Sequence, residues 1–257
     1  MIEYYDAYFP AINQTRNQTR KLHIYLPDDY YDSENSYPVT YFFDGQNLFF
    51  DQMATYGKSW GLYDFLENWP KKMIVVGLEC GHQGNERLSE YSPYDIDSDF
   101  FGGHVDGRGK ETMEWLVNDI MPYIDSHYRT YPFREATGIA GSSMGGLMAI
   151  YALARYNAVF SKAACLSSAI LGNLEADVRA SSIDSDTRIY LSWGSQEAGP
   201  SQGGKWESRA ARANLSIETA FQEQKATTYV YCQDGGRHQE ADWEKQVPIF
   251  MDFLWMQ

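Results

Sequence analysis

The sequence predicts an α/β fold with a mostly parallel central sheet and helices on both faces. Short apolar runs typical of buried strands alternate with longer segments of helical spacing. This alternation is typical of parallel strands joined by crossover helices. No Pro-, Gly- or Ser-rich spacer divides the chain, and no repeat of domain size is present. We therefore expect a single domain over residues 1–257.

Seven short segments have the apolar character of strands, and several of them end at turn residues such as Pro27 and Asp44. The predicted strands are 19–26, 38–43, 73–78, 136–140, 162–166, 187–193 and 227–232. Five longer segments carry apolar residues at helical spacing, and the predicted helices are 60–69, 111–127, 144–156, 209–224 and 243–255. The stretch 79–110 is predicted to be irregular. Connections of that length usually carry function or shape a site.

Charge and cysteine content exclude several classes of function. The chain has 21 basic and 35 acidic residues, a formal charge of −14. Nucleic acids and anionic membrane surfaces would be repelled by it, so we expect neither as a partner. Three sparse cysteines without a C-x-x-C pair argue against a disulfide framework or a structural zinc site. The histidines show no ligand spacing, so no catalytic metal is expected.

The chain start has no secretory leader pattern, and no apolar run approaches the roughly 20 residues needed to cross a bilayer. We therefore expect a soluble, cytoplasmic protein. The sequence leaves open whether it forms a homo-oligomer.

A nucleophile motif lies between the fourth predicted strand and the helix that follows it. Gly141–Gly145 match the pattern G-x-S-x-G. This pattern is typical of a sharp strand-to-helix turn that needs small residues around the central serine. The turn presents Ser143 at a helix N-terminus, where unpaired N–H groups favour developing negative charge. We therefore expect Ser143 to be the nucleophile.

A serine hydroxyl needs a base, and His238 is the predicted one. It lies in the turn between the last predicted strand and the last predicted helix, which gives the chain order serine, acid, histidine of an α/β-hydrolase. Glu197 follows the penultimate strand and should leave the sheet on the same side as Ser143, so it is the predicted acid. Asp234, which shares the short turn with His238, and a dyad without an acid are the alternatives.

The oxyanion hole should combine two backbone N–H groups. One belongs to Met144, the residue after the nucleophile, and the other comes from the loop after an early strand. In that loop the N–H of Gln46 is the predicted donor.

Several segments occur in an order that is typical of a known family. They are Phe43–Phe49, Tyr56–Gly61, Asn85–Pro93 and Gly141–Gly146, followed by His238 and Trp243. Together they resemble the putative esterase family of α/β-hydrolases, which includes ferric-enterobactin, feruloyl and acetyl-xylan esterases, S-formylglutathione hydrolases and mycolyltransferases. The resemblance implies a carboxylic ester hydrolase that needs no cofactor, with Ser143 as nucleophile and His238 as base.

Four further side chains are candidate substrate contacts. Trp60, Tyr91 and Trp243 either pack against neighbouring elements or form walls of the pocket. Arg87 is expected to form an ion pair with Glu90 that fixes the long connection, with a substrate contact as the alternative. An excess of aromatic residues in the segments after the early strands predicts a pocket for a flat or sugar-like group. These residues are Phe42, Phe43, Phe49, Phe50, Trp60, Tyr91, Tyr94, Phe100 and Phe101.

The sequence thus predicts hydrolysis of a small, aromatic or sugar-linked carboxylic ester through an acyl-enzyme. Acyl transfer to another alcohol would use the same residues. A siderophore trilactone is a further candidate substrate, although a charge of −14 makes a highly anionic one less attractive. A catalytically silent binding module of the same fold is the alternative outside enzymes, and the presence of both Ser143 and His238 weighs against it.

Overall fold

An eight-stranded sheet forms the centre of the molecule. The computed structural model describes residues 1–10, 18–99, 102–197 and 206–256. Across the sheet the strands lie in the order β1-β2-β4-β3-β7-β8-β9-β10. The strands are β1 (Ile2–Phe9), β2 (Gln18–Tyr25), β3 (Val39–Phe43), β4 (Ile74–Leu78), β7 (Thr137–Ser142), β8 (Lys162–Leu166), β9 (Arg188–Gly194) and β10 (Thr227–Gln233). A separate hairpin consists of β5 (Ile96–Ser98) and β6 (Gly103–Val105).

The sheet is mostly parallel, as predicted. Strand β2 pairs antiparallel with β1 and with β4. The other neighbouring strands of the sheet pair in parallel. The helices between them are α1 (Leu62–Asn68), α2 (Glu86–Glu90), α3 (Gly109–Trp115), α4 (Met121–His127), α5 (Met144–Arg155), α6 (Leu174–Ala180), α7 (Arg209–Glu223), α8 (Glu240–Glu244) and α9 (Val247–Trp255). A π-helical segment, Leu116–Ile120, joins α3 to α4.

Apolar cores cover both faces of the sheet, because successive strand residues point to opposite sides. Tyr41 and Phe43 of β3 join one cluster, which also contains Leu147 of α5. Phe42, between them, joins a second cluster with Phe250 of α9. Strands buried on both faces read as continuous apolar runs, which is why β3 and β4 were recognisable in the sequence.

The structure differs from the predicted elements in four places. Strand β1 was not predicted, because it lies at the sheet edge and exposes polar and tyrosine side chains. Helix α6 was also missed. The predicted helix 243–255 is two helices, and α9 begins anew with Pro248 in its first turn. The stretch 79–110 is not wholly irregular, since it holds α2 and the β5–β6 hairpin.

The parallel strands place their carboxyl ends at one edge of the sheet, where ligands bind in open α/β folds. Asp44 follows β3, Ser143 follows β7, and His238 follows β10. Glu197 lies three residues after the end of β9. The order of the strands therefore brings together side chains that are far apart in sequence. Within the described ranges, no helix is both long and apolar enough to span a membrane.

Candidate active site

Ser143 sits in a strained turn between β7 and α5. Its backbone has φ 58° and ψ −119°, a conformation that non-glycine residues rarely adopt. Such strain costs of order 1–3 kcal/mol and must be held by the surroundings. The Ser143 N–H donates to Leu166 O at 2.9 Å, which ties the turn to β8. At Gly141 a Cβ would lie 2.5 Å from the backbone carbon of Gly145, so the turn can close only with glycine there.

His238 and Glu197 are in contact. His238 Nδ1 lies 3.3 Å from Glu197 Oε2. The Glu197 side chain is 9% exposed and that of His238 is 45% exposed. A carboxylate at Nδ1 favours the tautomer whose Nε2 is free to accept a proton. The arrangement therefore leaves the outer ring nitrogen of His238 available for proton transfer.

The loop that carries Glu197 is tied to the turn that carries His238. Ser195 N–H donates to Gln233 O, and Gln196 N–H donates to Gly236 O, both at 2.9 Å. At Gly194 a Cβ would lie 2.3 Å from Gly236 O, so the two backbones approach too closely for any other residue. This packing fixes the acid and the base relative to each other.

A hydrogen-bond chain that the sequence analysis missed holds the Glu197 carboxylate. Glu197 Oε1 accepts from the hydroxyl of Ser167 at 2.5 Å and from the N–H of Gly194 at 2.6 Å. The indole N–H of Trp243 donates to Ser167 Oγ at 2.8 Å. Ser167 has a positive φ of 48° and is 5% exposed. With Oε1 engaged in this way, Oε2 is the oxygen left for His238.

Asp234, the alternative acid, lies exposed in the turn after β10. The carboxylate within hydrogen-bonding distance of His238 Nδ1 is that of Glu197.

No sequence motif marks Ser167. Its contacts with Glu197 and Trp243 join three segments of the chain that meet only in the fold.

Ser143 and His238 line the same cavity, which has a volume of about 610 Å³. Its wall also includes Asp44 and Gln46 from the segment after β3, and Glu240 from the start of α8. Among the described residues, Tyr56 and Trp243 add aromatic side chains to the wall. The cavity is open to substrate beside the serine and histidine side chains.

The predicted oxyanion donors lie in the first turns of the elements that follow β3 and β7. Gln46 is in the 3-10 turn Gly45–Asn47, lines the cavity and is 7% exposed. Met144 is the first residue of α5 and is 3% exposed. N–H groups in a first helical turn have no partner within the helix, so both positions can present a donor.

Arg87 pairs with Asp44 and not with Glu90, so the predicted Arg87–Glu90 pair is wrong. Arg87 Nε and Nη2 donate to the two Asp44 carboxylate oxygens, each at 2.7 Å. Glu90 instead accepts from the guanidinium of Arg20, which comes from β2. Both Asp44 and Arg87 line the cavity. Their charges cancel in this bidentate pair.

Cys80 also lines the cavity, but its thiol is less suited than the Ser143 hydroxyl to act as the nucleophile. Burial and the nearby charge of Asp44 raise the pKa of Cys80 well above its usual range. The thiol therefore stays protonated and points at Asp44 Oδ1, 3.6 Å away. A thiol in that state is a weak nucleophile.

Glu240 also lines the cavity, and no sequence motif predicts it. It is 6% exposed, and Asn47 Nδ2 donates to its Oε1 at 3.4 Å. Burial and the charge of Asp44 raise the pKa of Glu240 above the ordinary value of a glutamate.

Two of the candidate substrate contacts lie in the packed interior. Trp60 is 2% exposed and packs against Phe42 and Trp243. Tyr91 is 1% exposed, and its hydroxyl accepts from the Asp44 N–H and donates to Leu78 O. Neither lines the cavity, whereas Arg87 and Trp243 do.

The prediction that aromatic residues after the early strands line the cavity is therefore wrong for those that the structure describes. The rings of these described residues belong to the two apolar clusters or pack against them. Phe100 and Phe101 lie outside the described residues. Most of the described residues that line the cavity carry polar side chains instead.

One candidate metal-binding group occurs in the described part of the chain. Ligand atoms of Asp95, His104 and Asp106 lie within 4.8 Å of one another, all on exposed side chains. The two ring nitrogens of His104 are already engaged in hydrogen bonds with Asp97 and Asp106. This group is on and around the β5–β6 hairpin and does not line the cavity, so we assign it no part in the site.

A family model described as putative esterase matches residues 13–253 of this chain. Among curated proteins, the chain is similar to the uncharacterized protein YbbA of Bacillus subtilis, with 25% identity over 191 residues that cover 73% of this chain and 72% of YbbA. It is also similar to Esterase Rv1288 of Mycobacterium tuberculosis, with 32% identity over 144 residues, 55% of this chain. The matched part is 27% of the length of that relative.

Among solved structures, the chain is similar in fold to an IroE-like serine hydrolase from Shewanella oneidensis. The TM-score is 0.73 at 19% sequence identity, and the match covers 99% of this chain and 79% of the other. At that identity the likeness supports the fold. The α/β architecture predicted from the alternation of strands and helices is thus confirmed.

Proposed function

The chain belongs to the putative esterase family and is a carboxylesterase-type hydrolase, and we propose that it cleaves small-molecule esters through an acyl-enzyme on Ser143. His238 is the general base and acid in this mechanism, and Glu197 orients and stabilises its ring. The backbone N–H groups of Met144 and Gln46 hold the oxyanion. The reaction requires no group beyond these residues and water.

In the first half-reaction, Ser143 Oγ attacks the ester carbonyl carbon while His238 Nε2 takes the hydroxyl proton. The carbonyl oxygen becomes an oxyanion between the two N–H groups, and losing one such donor typically costs about 3 kcal/mol of transition-state stabilisation. The tetrahedral intermediate then collapses. The bond between the carbonyl carbon and the alcohol oxygen breaks, and His238 returns the proton to the leaving alcohol.

In the second half-reaction, water takes the place of the alcohol. His238 removes a proton from the water as its oxygen attacks the acyl carbon, and a second oxyanion forms in the same hole. Collapse breaks the bond to Ser143 Oγ, which regains its proton from His238. The products are a carboxylic acid and the free enzyme.

The observation that carries this proposal is the meeting of three segments at one cavity. The strained turn exposes Ser143 to the cavity, and His238 lines the same cavity with Glu197 Oε2 at its Nδ1. A nucleophile and a base that line one cavity, with an acid that contacts the base, support covalent catalysis.

Hydrolysis of p-nitrophenyl acetate and butyrate tests the proposal. The wild-type protein should release p-nitrophenolate from both esters, and Ser143→Ala should lower kcat by several powers of ten, because the nucleophile is lost. Ser126→Ala is the matched control, since Ser126 is exposed on α4 away from the cavity. Equal activity of Ser143→Ala and the wild type would overturn the proposal.

A further inference from the structure

Glu240 places an acidic side chain in the wall of the cavity that the proposed mechanism does not use. It is the first residue of α8, two positions after His238, and it is 6% exposed. Carboxylates this buried usually carry an ion pair. In residues 1–10, 18–99, 102–197 and 206–256, Glu240 makes no ion pair, and Asn47 is the one other residue that donates a hydrogen bond to its carboxylate.

The geometry around Asn47 fixes how its amide faces Glu240. Asn47 Oδ1 accepts from the backbone N–H of Thr55 at 2.8 Å. Because a backbone N–H can only donate, the oxygen end of the amide must point at Thr55. The NH₂ end therefore points at Glu240 Oε1, 3.4 Å away. This long hydrogen bond leaves much of the acceptor capacity of the carboxylate unused, since an ionised carboxylate can accept about four hydrogen bonds.

The charges in the cavity wall do not balance. Asp44 and Arg87 cancel in their bidentate pair. Cys80 stays protonated. Among the described residues, the other titratable groups in the wall are His82, His238 and Tyr56. When Glu240 is ionised, it adds a negative charge to the cavity wall that no ion pair offsets, in a chain whose formal charge is already −14.

The position of Glu240 relates this charge to one part of the substrate. In the proposed mechanism His238 returns a proton to the leaving alcohol, so the alcohol portion lies beside His238. Glu240, two residues further along the chain, lines the same cavity as His238. A carboxylate in the cavity wall attracts cations and repels anions by its charge.

We propose that Glu240 is a specificity-determining residue that selects esters whose alcohol portion carries a positive charge and disfavours esters whose alcohol portion is anionic. This inference rests on the proposed function and adds a substrate class to it. Glu240 takes no part in bond making or breaking.

A matched series of acetate esters tests the inference. Acetylcholine is cationic, 3,3-dimethylbutyl acetate is its neutral isostere, and 3-acetoxypropanesulfonate is anionic. Acetate release is measured at pH 8, above the ordinary range of a carboxyl group. The wild type should show a higher kcat/KM for acetylcholine than for the neutral isostere, on the order of tenfold, and its lowest value for the sulfonate.

Glu240→Gln keeps the shape of the side chain and removes its charge. In this variant the ratio of kcat/KM for the cationic and neutral esters should fall to about one. Glu244→Gln is the matched control, because Glu244 lies on the same helix, pairs with Lys58 and does not line the cavity. The control should keep the wild-type ratio. Circular dichroism of both variants reports whether each is folded.

The inference would be overturned if the ratio of kcat/KM for acetylcholine to that for its neutral isostere were one or below in the wild type. It would also be overturned if Glu240→Gln left this ratio unchanged. The proposed function would survive either result, provided that p-nitrophenyl butyrate is still hydrolysed in a Ser143-dependent manner. Absence of that hydrolysis would instead count against the proposed function.

Discussion

The two oxygens of the Glu197 carboxylate have different partners. Oε1 accepts from Ser167 and Gly194, and Oε2 faces His238 Nδ1. A carboxylate held at one oxygen cannot rotate freely, so the other oxygen stays aimed at the imidazole. The orientation of the Glu197 carboxylate thus depends on Ser167 and Gly194, neither of which lines the cavity.

Comparing Glu197→Gln with Asp234→Asn tests the assignment of the acid. Glu197→Gln should lower kcat by about 10³-fold or more, because an amide neither stabilises the imidazolium nor fixes the correct tautomer. Asp234→Asn should change kcat by less than about twofold, since Asp234 lies exposed and Glu197 is the carboxylate at Nδ1. Steady-state hydrolysis of p-nitrophenyl butyrate measures both. The reverse ranking would move the acid to Asp234.

Ser167→Gly tests the hydrogen-bond chain behind Glu197. Glycine tolerates the φ of 48° at this position, and the substitution removes the hydroxymethyl side chain and with it the hydroxyl. Hydrogen bonds to charged groups contribute about 1.5–3 kcal/mol, so kcat should fall on the order of tenfold or more, with KM little changed. In a Glu197→Gln background the same substitution should have almost no further effect. A loss that persists undiminished in that background would indicate a structural defect unrelated to Glu197.

At the scale of elements, α2 and the connection around it are held by buried ion pairs. Glu90, at the end of α2, is 1% exposed. It accepts from Arg20 of β2 and from the N–H of Gly81. Arg87, on the same helix, holds Asp44 next to the 3-10 turn Gly45–Asn47. The connection is therefore a structured wall of the cavity.

Glu90→Ala should destabilise the protein, because it leaves the buried guanidinium of Arg20 without its carboxylate. Breaking a buried pair from one side typically costs about 3–5 kcal/mol. Glu111→Ala is the control, because Glu111 and Arg108 are partly exposed and form a 3.6 Å surface pair that contributes about 1 kcal/mol or less. Urea unfolding measures both. Equal midpoints for the two variants would contradict the role assigned to Arg20 and Glu90.

Local patterns predicted the elements that have local causes. The Gly141–Gly145 motif located the strained turn, because its small residues are adjacent in sequence. The partners of α2 could not be found in this way. Arg87 and Asp44 are 43 positions apart, and Arg20 and Glu90 are 70 positions apart. Because Arg87 and Glu90 are three residues apart, the sequence suggests an ion pair within one helix. In the fold, Arg87 instead pairs with Asp44, and Glu90 pairs with Arg20.

At the scale of the whole molecule, the alternation of strands and helices is sufficient to predict the mostly parallel sheet. The chain order of Ser143, Glu197 and His238 indicates that these residues share the edge formed by the carboxyl ends of the strands. The lining of the cavity was less predictable. Aromatic residues after the early strands were expected in its wall but fill the cores, because side chains alternate between the two faces. Ser167 and Glu240 carry no motif, and their contacts exist only once the strands are ordered.

Covalent labelling is the most direct measurement of the central claim, that Ser143 is an activated nucleophile. A fluorophosphonate probe reacts with serines that a nearby base activates. Intact mass analysis and peptide mapping of the labelled protein should show one adduct, on Ser143, and none in Ser143→Ala or after heat denaturation. Folded wild-type protein that takes up no probe, or an adduct on another serine, would contradict the account.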